Sequence, residues 1–545
     1  MQLRKRNNAL NYHNQFKFDA LAFFRNPANL ILPFLVVIFL AYFINVLLML
    51  FSYNIDLGYG MEYALVCLFQ RLPETGSLYS NPASPPFMPN LFLPLYFYIT
   101  YFIHSLFTGG AFENIHSLYI TGRILSFLSF IGTSVIAYFI LTRQLKCSRK
   151  TGLISVMLIF ILSFSQSFIF RPDSLKTFFF VLSIYLFIQS KLHHKKYLVF
   201  LFSVIAILAF FTKQDGLIAS AIIFTLLFSG KNRCSFYYHI LISIITTVLL
   251  LLLIYVFDHS IVIFKQMNVI INDGISFWYI VQWILPYMLK ILPVVLIMFY
   301  LAYIYLIKER PAEPARKTIM ISVLFTFFFP LIFSLKNGAS IYYFSEFQIF
   351  AVILIADFLE KKFQLSKPYM KLLFSVLFIA YIVFLFNYKN IVSVNPKLSV
   401  NYMIDWYNKD KETRLKINYF KAEAFYKQFK TRYPLKKSEY LICFDVPVTL
   451  FASKNFFNIE ISNIFYAWIE YLSNQKFAYK KTLFSLDGYY SCMDEGRVKY
   501  IIIPDLDKGR SFVNEYFPNY ASESEFGGYV VYKWTGIGKV KRMNI

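Results

Sequence analysis

The feature that most constrains this 545-residue chain is a succession of long apolar runs separated by short basic segments. The runs scatter in length around the ~20 residues that an α-helix needs to cross the hydrocarbon core of a bilayer. The chain is 58% hydrophobic, with 64 Phe and 42 Tyr, which is more apolar surface than a soluble fold buries. We therefore predict a mainly α, polytopic membrane protein with about 11 transmembrane helices. The predicted spans are 30–51, 115–142, 152–170, 174–190, 197–211, 217–229, 236–257, 283–307, 318–335, 341–359 and 369–389.

The distribution of basic residues predicts the orientation in the membrane. A net charge of +24 raises the question of nucleic-acid binding, but Lys and Arg lie in short loops between the spans, where they orient membrane proteins. Taking 1–29 as a cytoplasmic basic tail, the predicted inner segments hold 22 Lys and Arg against 6 in the outer turns. We expect an integral protein of the cytoplasmic (plasma) membrane, with its N-terminus inside, its C-terminus outside, and no nucleic-acid partner.

Two segments outside the predicted spans complete the organisation. Residues 91–108 are apolar, but counting them as a span would place every later basic loop outside, so we interpret them as a juxtamembrane helix within a long first external loop, 52–114. Residues 390–545 are more highly charged and predict an external, soluble α/β domain after the transmembrane domain, 30–389. Its predicted strands are Glu439–Asp445, Lys499–Ile503 and Gly528–Trp534, and its predicted helices lie near 402–433, 461–474 and 508–516.

Cysteines and known motifs exclude several classes of chemistry. The five cysteines show no repeated spacing, and a bridge between Cys443 and Cys492 is allowed outside the cell without being required. The sequence has no CxxC or HExxH metal motif, no Walker-type loop and no GxGxxG loop. Nucleotide hydrolysis within this chain is therefore not supported.

Three polar clusters fall on the same predicted outer face: Asp56 after the first span, Arg171-Pro172-Asp173, and Lys213 with Asp215 between two short spans. Each has a structural interpretation. Asp56 or Asp173 would cap a helix, Arg171 would snorkel to the interface, and Lys213 would pair with Asp215. The functional interpretation is a site for a phosphorylated substrate, in which cations bind phosphate and a carboxylate accepts a proton.

The motifs that contain these residues, taken in order, resemble those of the GT-C superfamily of integral-membrane glycosyltransferases, in its family-39-like prokaryotic branches. That group includes protein O-mannosyltransferases and the aminoarabinose transferase of lipid A. The similarity covers roughly residues 30–360. The elements that carry it are Asp56-Leu-Gly58-Tyr-Gly60, Pro85-Pro86 with Leu93-Pro-Leu-Tyr96, Gly122-Arg123-Ile-Leu-Ser126, Arg171-Pro-Asp173, Phe211-Thr-Lys-Gln214 and Tyr342-Tyr343-Phe344.

The resemblance implies a hexosyl- or pentosyltransferase that moves a sugar from a polyprenyl-phosphate carrier to an acceptor glycan, lipid or protein on the outer face. Asp56 would then be the general base, and Asp173 would assist it or orient the acceptor. Lys213, with Arg171 or Arg123, would hold the carrier phosphate. The supporting positions are Glu62, Gln214, Asp215, Tyr342 and Tyr343.

One departure from the family pattern concerns metal binding. Where relatives often place a second acid beside the first, this chain has Leu57 and Tyr59, and the nearest acid is Glu62. A divalent metal held by paired acids is therefore doubtful, and no cofactor or metal site is assigned. Two alternative functions stay open: a multi-pass transporter or channel, which would place charges near mid-span, and a surface-polysaccharide polymerase or ligase.

The charge bias makes a direct prediction about topology. A reporter fused after residue 389 should be active outside the cell, and one fused within 308–317 should be active inside, because 22 basic residues face 6 across the membrane. Activity measured in intact cells checks both fusions. A C-terminal reporter that is active in the cytoplasm would overturn the predicted side of every candidate residue.

Overall fold

The protein is mainly helical, with a small sheet near the C-terminus. Asp56 and the predicted span 369–389 lie outside the residues that the structure describes. The computed structural model describes residues 28–51, 62–79, 90, 92–110, 114–163, 168–193, 195–230, 233–258, 281, 285–305, 313–335, 341–363, 418–436, 438–452, 471 and 487–542.

Seventeen helices and four strands are found among these residues. The helices are α1 Ala28–Leu50, α2 Glu62–Thr75, α3 Leu95–Thr108, α4 Ile115–Phe139, α5 Arg149–Leu162, α6 Asp173–His193, α7 Lys196–Thr212, α8 Leu217–Phe228, α9 Arg233–Asp258, α10 Leu285–Lys290, α11 Leu292–Tyr303, α12 Pro314–Phe333, α13 Ser345–Phe363, α14 Asn418–Arg432, α15 Val446–Phe451, α16 Asp487–Asp494 and α17 Asp507–Tyr516. The strands are β1 Tyr440–Cys443, β2 Val498–Pro504, β3 Tyr520–Phe526 and β4 Tyr529–Trp534.

Six helices in the described part of the chain are long and apolar enough to cross a membrane, so the chain is a multi-pass membrane protein. Each coincides with a predicted span. The total of about 11 stays a prediction, because the last span was not described and the helices in four other predicted spans have 17 residues or fewer. The six are Leu32–Leu50, Ile115–Gln144, Asp173–His193, Arg233–Phe257, Pro314–Phe333 and Tyr342–Lys361.

Local chemistry explains where several helices begin and break. The side chain of Asn114 accepts the Ser117 N–H at 3.1 Å at the start of α4, and Ser148 caps α5 in the same way. The predicted span 283–307 is divided at Ile291 into α10 and α11. Pro293 lies at the start of α11 and has no backbone N–H to continue the preceding helix.

The short spans predicted at 197–211 and 217–229 form a helical pair, α7 and α8, joined by a 3₁₀ turn, Gln214–Gly216. The turn packs directly on the backbone of α7. A Cβ added at Gly216 would lie 2.2 Å from the carbonyl oxygen of Ala209, so only glycine fits there. At ~1.5 Å per residue, the 12-residue α8 is about 18 Å long, shorter than the hydrocarbon core.

The apolar segment 91–108 contains α3, which has 14 residues. Such a helix is about 21 Å long, short of the ~30 Å hydrocarbon core. His104 on α3 is buried, and its Nδ1 lies 3.1 Å from the Thr121 hydroxyl on α4. The place of α3 within an external loop stays a prediction.

The main hydrophobic core is formed by the long helices, with α6 packed against α4 and α7 near its centre. Helix α9 lies at the outside of this assembly, where only 11% of the residues in its most apolar stretch are buried. A helix with so much exposed apolar surface matches the environment of lipid chains. This explains why the composition exceeds what a soluble core requires.

The C-terminal sheet has the strand order β1-β2-β4-β3. Strands β1 and β2 are parallel, and the other two pairs are antiparallel. Side chains of the strands and of α14, α16 and α17 form a second hydrophobic core. All three predicted strands are found here, and the helix predicted near 508–516 is α17.

The sequence analysis did not predict strand β3, and the structure corrects this omission. Its residues 520–526 read YASESEF and are mostly exposed, so they lack the apolar alternation of a typical strand. The strand forms because Gly527 and Gly528 both adopt positive φ, 60° and 80°, in a tight turn that pairs β3 with β4. The paired glycines were the available sequence signal.

Two helices beside the sheet pack in one hydrophobic cluster with the helices that follow the first span. Leu450 on α15 and Tyr419 on α14 belong to the hydrophobic cluster that also contains residues of α2. At the end of β1, the Tyr529 hydroxyl donates to Asp445 at 2.6 Å. Burial raises the pKa of the Asp445 carboxyl, and the hydrogen bond from Tyr529 partly offsets that rise.

All five cysteines have free thiols, so Cys443 and Cys492 are not bridged.

Candidate active site

A buried group of six charged side chains lies where α6, the turn between α7 and α8, and the start of α13 meet. We call it the ionic cluster. Within the described residues it contains three cations and three carboxylates, which balance when all six are ionised. Its members are Arg171, Asp173, Lys176, Lys213, Asp215 and Glu346.

Asp173 lies between two cations, Arg171 and Lys213, which the sequence analysis assigned to the same face of the membrane. The Lys213 ammonium lies 2.6 Å from Oδ1 of Asp173, and Nε of Arg171 lies 3.2 Å from Oδ2. Asp173 opens α6 directly after Pro172, while Lys213 leaves the end of α7 in an extended conformation. Two loops that are separate in sequence therefore bring opposite charges together in a site with little solvent.

Lys176 was missed as a site residue. Its ammonium lies 2.9 Å from Asp215 and 2.7 Å from Glu346, and the Thr177 hydroxyl donates to Glu346 at 2.5 Å. Lys176 follows Asp173 by three residues on α6, a spacing that places both on one face of a helix. That spacing was the signal available in the sequence. Glu346 was missed because it falls within an apolar run that was assigned as a span.

These distances decide between the partners considered for Lys213. Sequence analysis offered Asp215 as its internal partner, but Lys213 pairs with Asp173, and Asp215 pairs with Lys176. Oδ1 of Asp215 is buried and has no hydrogen-bond partner among the described residues. An unsatisfied buried acceptor is costly, so a ligand hydroxyl that donated to it would be favoured.

The two predicted supporting tyrosines lie against two of the three cations of the cluster. The Arg171 guanidinium lies 4.5 Å from the centre of the Tyr342 ring, and the Lys213 ammonium lies 4.5 Å from that of Tyr343. Both distances are in the range of cation–π attraction. Gln214, the remaining supporting residue of that turn, is half-buried.

The structure places Arg123 and Glu62 together in a separate ion pair. Nε and Nη2 of Arg123 donate to the two carboxylate oxygens of Glu62 at 3.1 and 2.9 Å, and both side chains are fully buried. This bidentate geometry is the strongest arrangement available to an arginine and a carboxylate. Asp56, the proposed base, falls in the segment 52–61 that was not described.

The described residues include no group of three or more His, Cys, Asp or Glu side chains placed to hold a metal ion. What the cluster can do chemically follows from its burial. Cations there interact strongly with a phosphate, because little water screens the charges. Carboxylates there can orient hydroxyl groups or accept a proton.

The position of Lys176 predicts a large effect on stability. Lys176→Met removes the cation shared by Asp215 and Glu346, leaving two buried carboxylates to repel each other. We expect a loss of about 3–5 kcal/mol in unfolding free energy, measured by thermal unfolding of the purified protein. Adding Glu346→Gln and Asp215→Asn should recover part of it.

The matched control is Lys361→Met. Lys361 pairs with buried Asp357 at 2.6 Å, but it is 43% exposed, and Asp357 keeps Arg316 at 2.7 Å. We expect a loss below about 1 kcal/mol. Equal losses of unfolding free energy in the two variants would show that Lys176 is not needed to neutralise Asp215 and Glu346.

Comparison with known proteins gives a match in fold. No protein-family model matches the sequence, and a search of curated proteins finds no match. Among solved structures, ArnT from Cupriavidus metallidurans, bound to undecaprenyl phosphate, is similar over 91% of this chain and 97% of its own, with a TM-score of 0.55 and 10% identity. The oligosaccharyltransferase of Archaeoglobus fulgidus in its apo form is similar over 87% of this chain and 69% of its own, with a TM-score of 0.50 and 13% identity. The chain thus has a fold similar to that of ArnT and of the archaeal oligosaccharyltransferase.

Proposed function

We propose that this protein is a glycosyltransferase of the cytoplasmic membrane. It would transfer a hexosyl or pentosyl group from a polyprenyl-phosphate carrier to an acceptor on the outer face. The observation that carries the proposal is the ionic cluster, in which Arg171 and Lys213 flank the carboxylate of Asp173 in a buried site. The ArnT structure with the same fold holds undecaprenyl phosphate, a carrier of the class assigned here.

The chemistry of the reaction accounts for the cations. A sugar leaves a polyprenyl phosphate as the bond between its anomeric carbon and the phosphate oxygen breaks, and negative charge develops on that oxygen. Lys213 and Arg171 would stabilise this charge in surroundings of low polarity, where such stabilisation is most effective. Tyr342 and Tyr343, stacked on the two cations, restrict where the cations can move.

The carboxylates would act on the acceptor. In the proposal Asp56 accepts the proton of the attacking hydroxyl, and Asp173 orients the acceptor or assists Asp56. Oδ1 of Asp215, which has no hydrogen-bond partner among the described residues, would accept a hydrogen bond from a hydroxyl of the substrate. Arg123 is left out of the proposed phosphate site, because its guanidinium already engages both oxygens of Glu62.

The charge balance of the cluster implies an exchange of partners. Three cations match three carboxylates within the described residues, so an arriving phosphate adds negative charge to a neutral site. Lys213 would then turn from Asp173 to the phosphate, and Asp173 would become available to the acceptor. Donor binding would thus prepare the acceptor site.

The outer-face placement is supported by the bias of basic residues toward the opposite side. Helices α14 and α15 beside the sheet pack in one cluster with α2, and α2 begins at Glu62, shortly after Asp56 in sequence. The proposal therefore places the sheet outside the membrane, near the acceptor side of the site.

The first test concerns the base. Asp56→Asn keeps the shape and hydrogen-bonding capacity of the side chain but cannot accept a proton. We expect turnover to fall about 10²–10⁴-fold with normal membrane insertion, measured as release of lipid phosphate from polyprenyl-phosphate sugars by the purified protein. Asparagine caps helices as well as aspartate does, so an active variant would return Asp56 to a capping role.

The second test concerns the phosphate. Because Lys213 pairs with Asp173, Lys213→Ala and Asp173→Asn should shift affinity for undecaprenyl phosphate in opposite directions. The first removes a charge-assisted contact and should weaken binding about tenfold or more, whereas the second removes a competing carboxylate and should strengthen binding. Affinity is measured on protein in lipid nanodiscs.

Lys361→Ala is the control for unspecific charge effects, since Lys361 lies at the other end of α13 from Glu346. It should leave carrier affinity unchanged. Wild-type affinity in Lys213→Ala would remove Lys213 from the proposed phosphate site.

A further inference from the structure

The buried pair Glu62–Arg123 does more than neutralise two charges. Oε1 of Glu62 also accepts the backbone N–H of Phe170 at 2.7 Å. Phe170 immediately precedes Arg171, and it lies in a stretch, 168–172, that has bends and a turn but no regular helix. One carboxylate therefore joins α2, α4 and the segment that leads into the ionic cluster.

Helix α4 holds the same segment at two further points. The Ser126 hydroxyl donates to the carbonyl oxygen of Arg171 at 3.2 Å. The Phe170 ring lies against Gly122, where an added Cβ would be 2.0 Å from the ring. Gly122, Arg123 and Ser126, the residues of one sequence motif, thus form one surface that fits the turn.

The turn needs external support because it lacks helical hydrogen bonds. A buried backbone N–H without an acceptor is strongly disfavoured, so loss of the Glu62 acceptor would drive Phe170 to another conformation. Arg171 follows directly, and Asp173 begins α6 two residues later. Any shift of the turn therefore moves both side chains that flank the proposed phosphate position.

We propose that Glu62 and Arg123 are positioning residues that fix the 168–172 turn, and through it the direction of Arg171 and Asp173. The inference rests on the proposed function for its catalytic consequence. Arg123 holds the Glu62 carboxylate in place, and Glu62 holds the turn. Arg123 also donates to the carbonyl oxygen of Met49 at 3.5 Å. These two partners, Met49 and Glu62, therefore lie before and after Asp56 in the sequence.

Two double variants isolate the positioning contact. Glu62→Gln with Arg123→Met keeps an oxygen that can accept the Phe170 N–H, whereas Glu62→Met with Arg123→Met has none. Both remove the two charges together, which avoids a stranded buried ion. The variants differ in one functional group, and their unfolding temperatures are measured beside exchange and turnover, because the Met-containing variant leaves the Phe170 N–H without an acceptor.

The expected result is a difference at the turn. In the Gln-containing double variant, amide hydrogen exchange of 168–172 and lipid-phosphate release should stay within about threefold of wild type, since the acceptor is kept. In the Met-containing double variant, exchange should be faster and turnover slower by about tenfold or more, the effect of losing one buried hydrogen bond. Asp357→Asn with Arg316→Met, at another buried ion pair, is the control and should leave exchange at the turn unchanged.

Other outcomes overturn the inference in distinct ways. If turnover in both double variants follows their unfolding temperatures and exchange does not differ, the pair only stabilises the fold. If both lose undecaprenyl phosphate affinity equally, Arg123 binds the phosphate itself. If the wild-type protein neither binds undecaprenyl phosphate nor releases it from any sugar donor, the proposed function fails, while a difference in exchange would still establish the positioning of the turn.

Discussion

Buried charges that must be paired determine how the helices around the site are arranged. An ionised side chain at the end of a membrane helix is costly unless an opposite charge lies beside it. Asp173 and Lys176 leave one face of α6, and their partners come from the α7–α8 turn and from α13. The ion pairs therefore fix these elements relative to one another, and removing one partner would leave a charge that the surroundings cannot solvate.

The same requirement links structure to the proposed chemistry. Because the six charges described in the ionic cluster balance, a phosphate that bound there would be matched by a cation already paired with a carboxylate. Lys213 is suited to change partners, since an ammonium is a compact donor on a flexible stem. Arg171 is more restricted, because its guanidinium is a rigid planar fork and its backbone carbonyl oxygen accepts a hydrogen bond from Ser126. One cation would thus move while the other defines the place of the phosphate.

The sequence predicted the helices, and the grouping of Arg171, Asp173 and Lys213, better than it predicted which charges pair. Runs of apolar residues predict the spans. Arg171, Asp173 and Lys213 stand out because they are charged residues at the ends of such runs. Which carboxylate meets which cation depends on how the helices face each other, and no local pattern encodes this. Asp215, two residues from Lys213, is the obvious partner in sequence, yet it faces Lys176. Glu346 was hidden within an apolar run, and β3 forms mainly through its pairing with β4.

Arg123 shows why residue type and motif do not determine a role. An arginine near the predicted outer end of a span suits a phosphate. Its planar guanidinium can bind either a phosphate or a carboxylate through two N–H groups. Glu62, six residues after Asp56, supplies the carboxylate, and both side chains are fully buried. A phosphate that took the place of Glu62 on Arg123 would displace a carboxylate that also holds the Phe170 N–H. Within the described part of the chain the Lys213–Asp173 ion pair holds no such backbone contact, so we propose Lys213 for the carrier phosphate and Arg123 for the support of the turn.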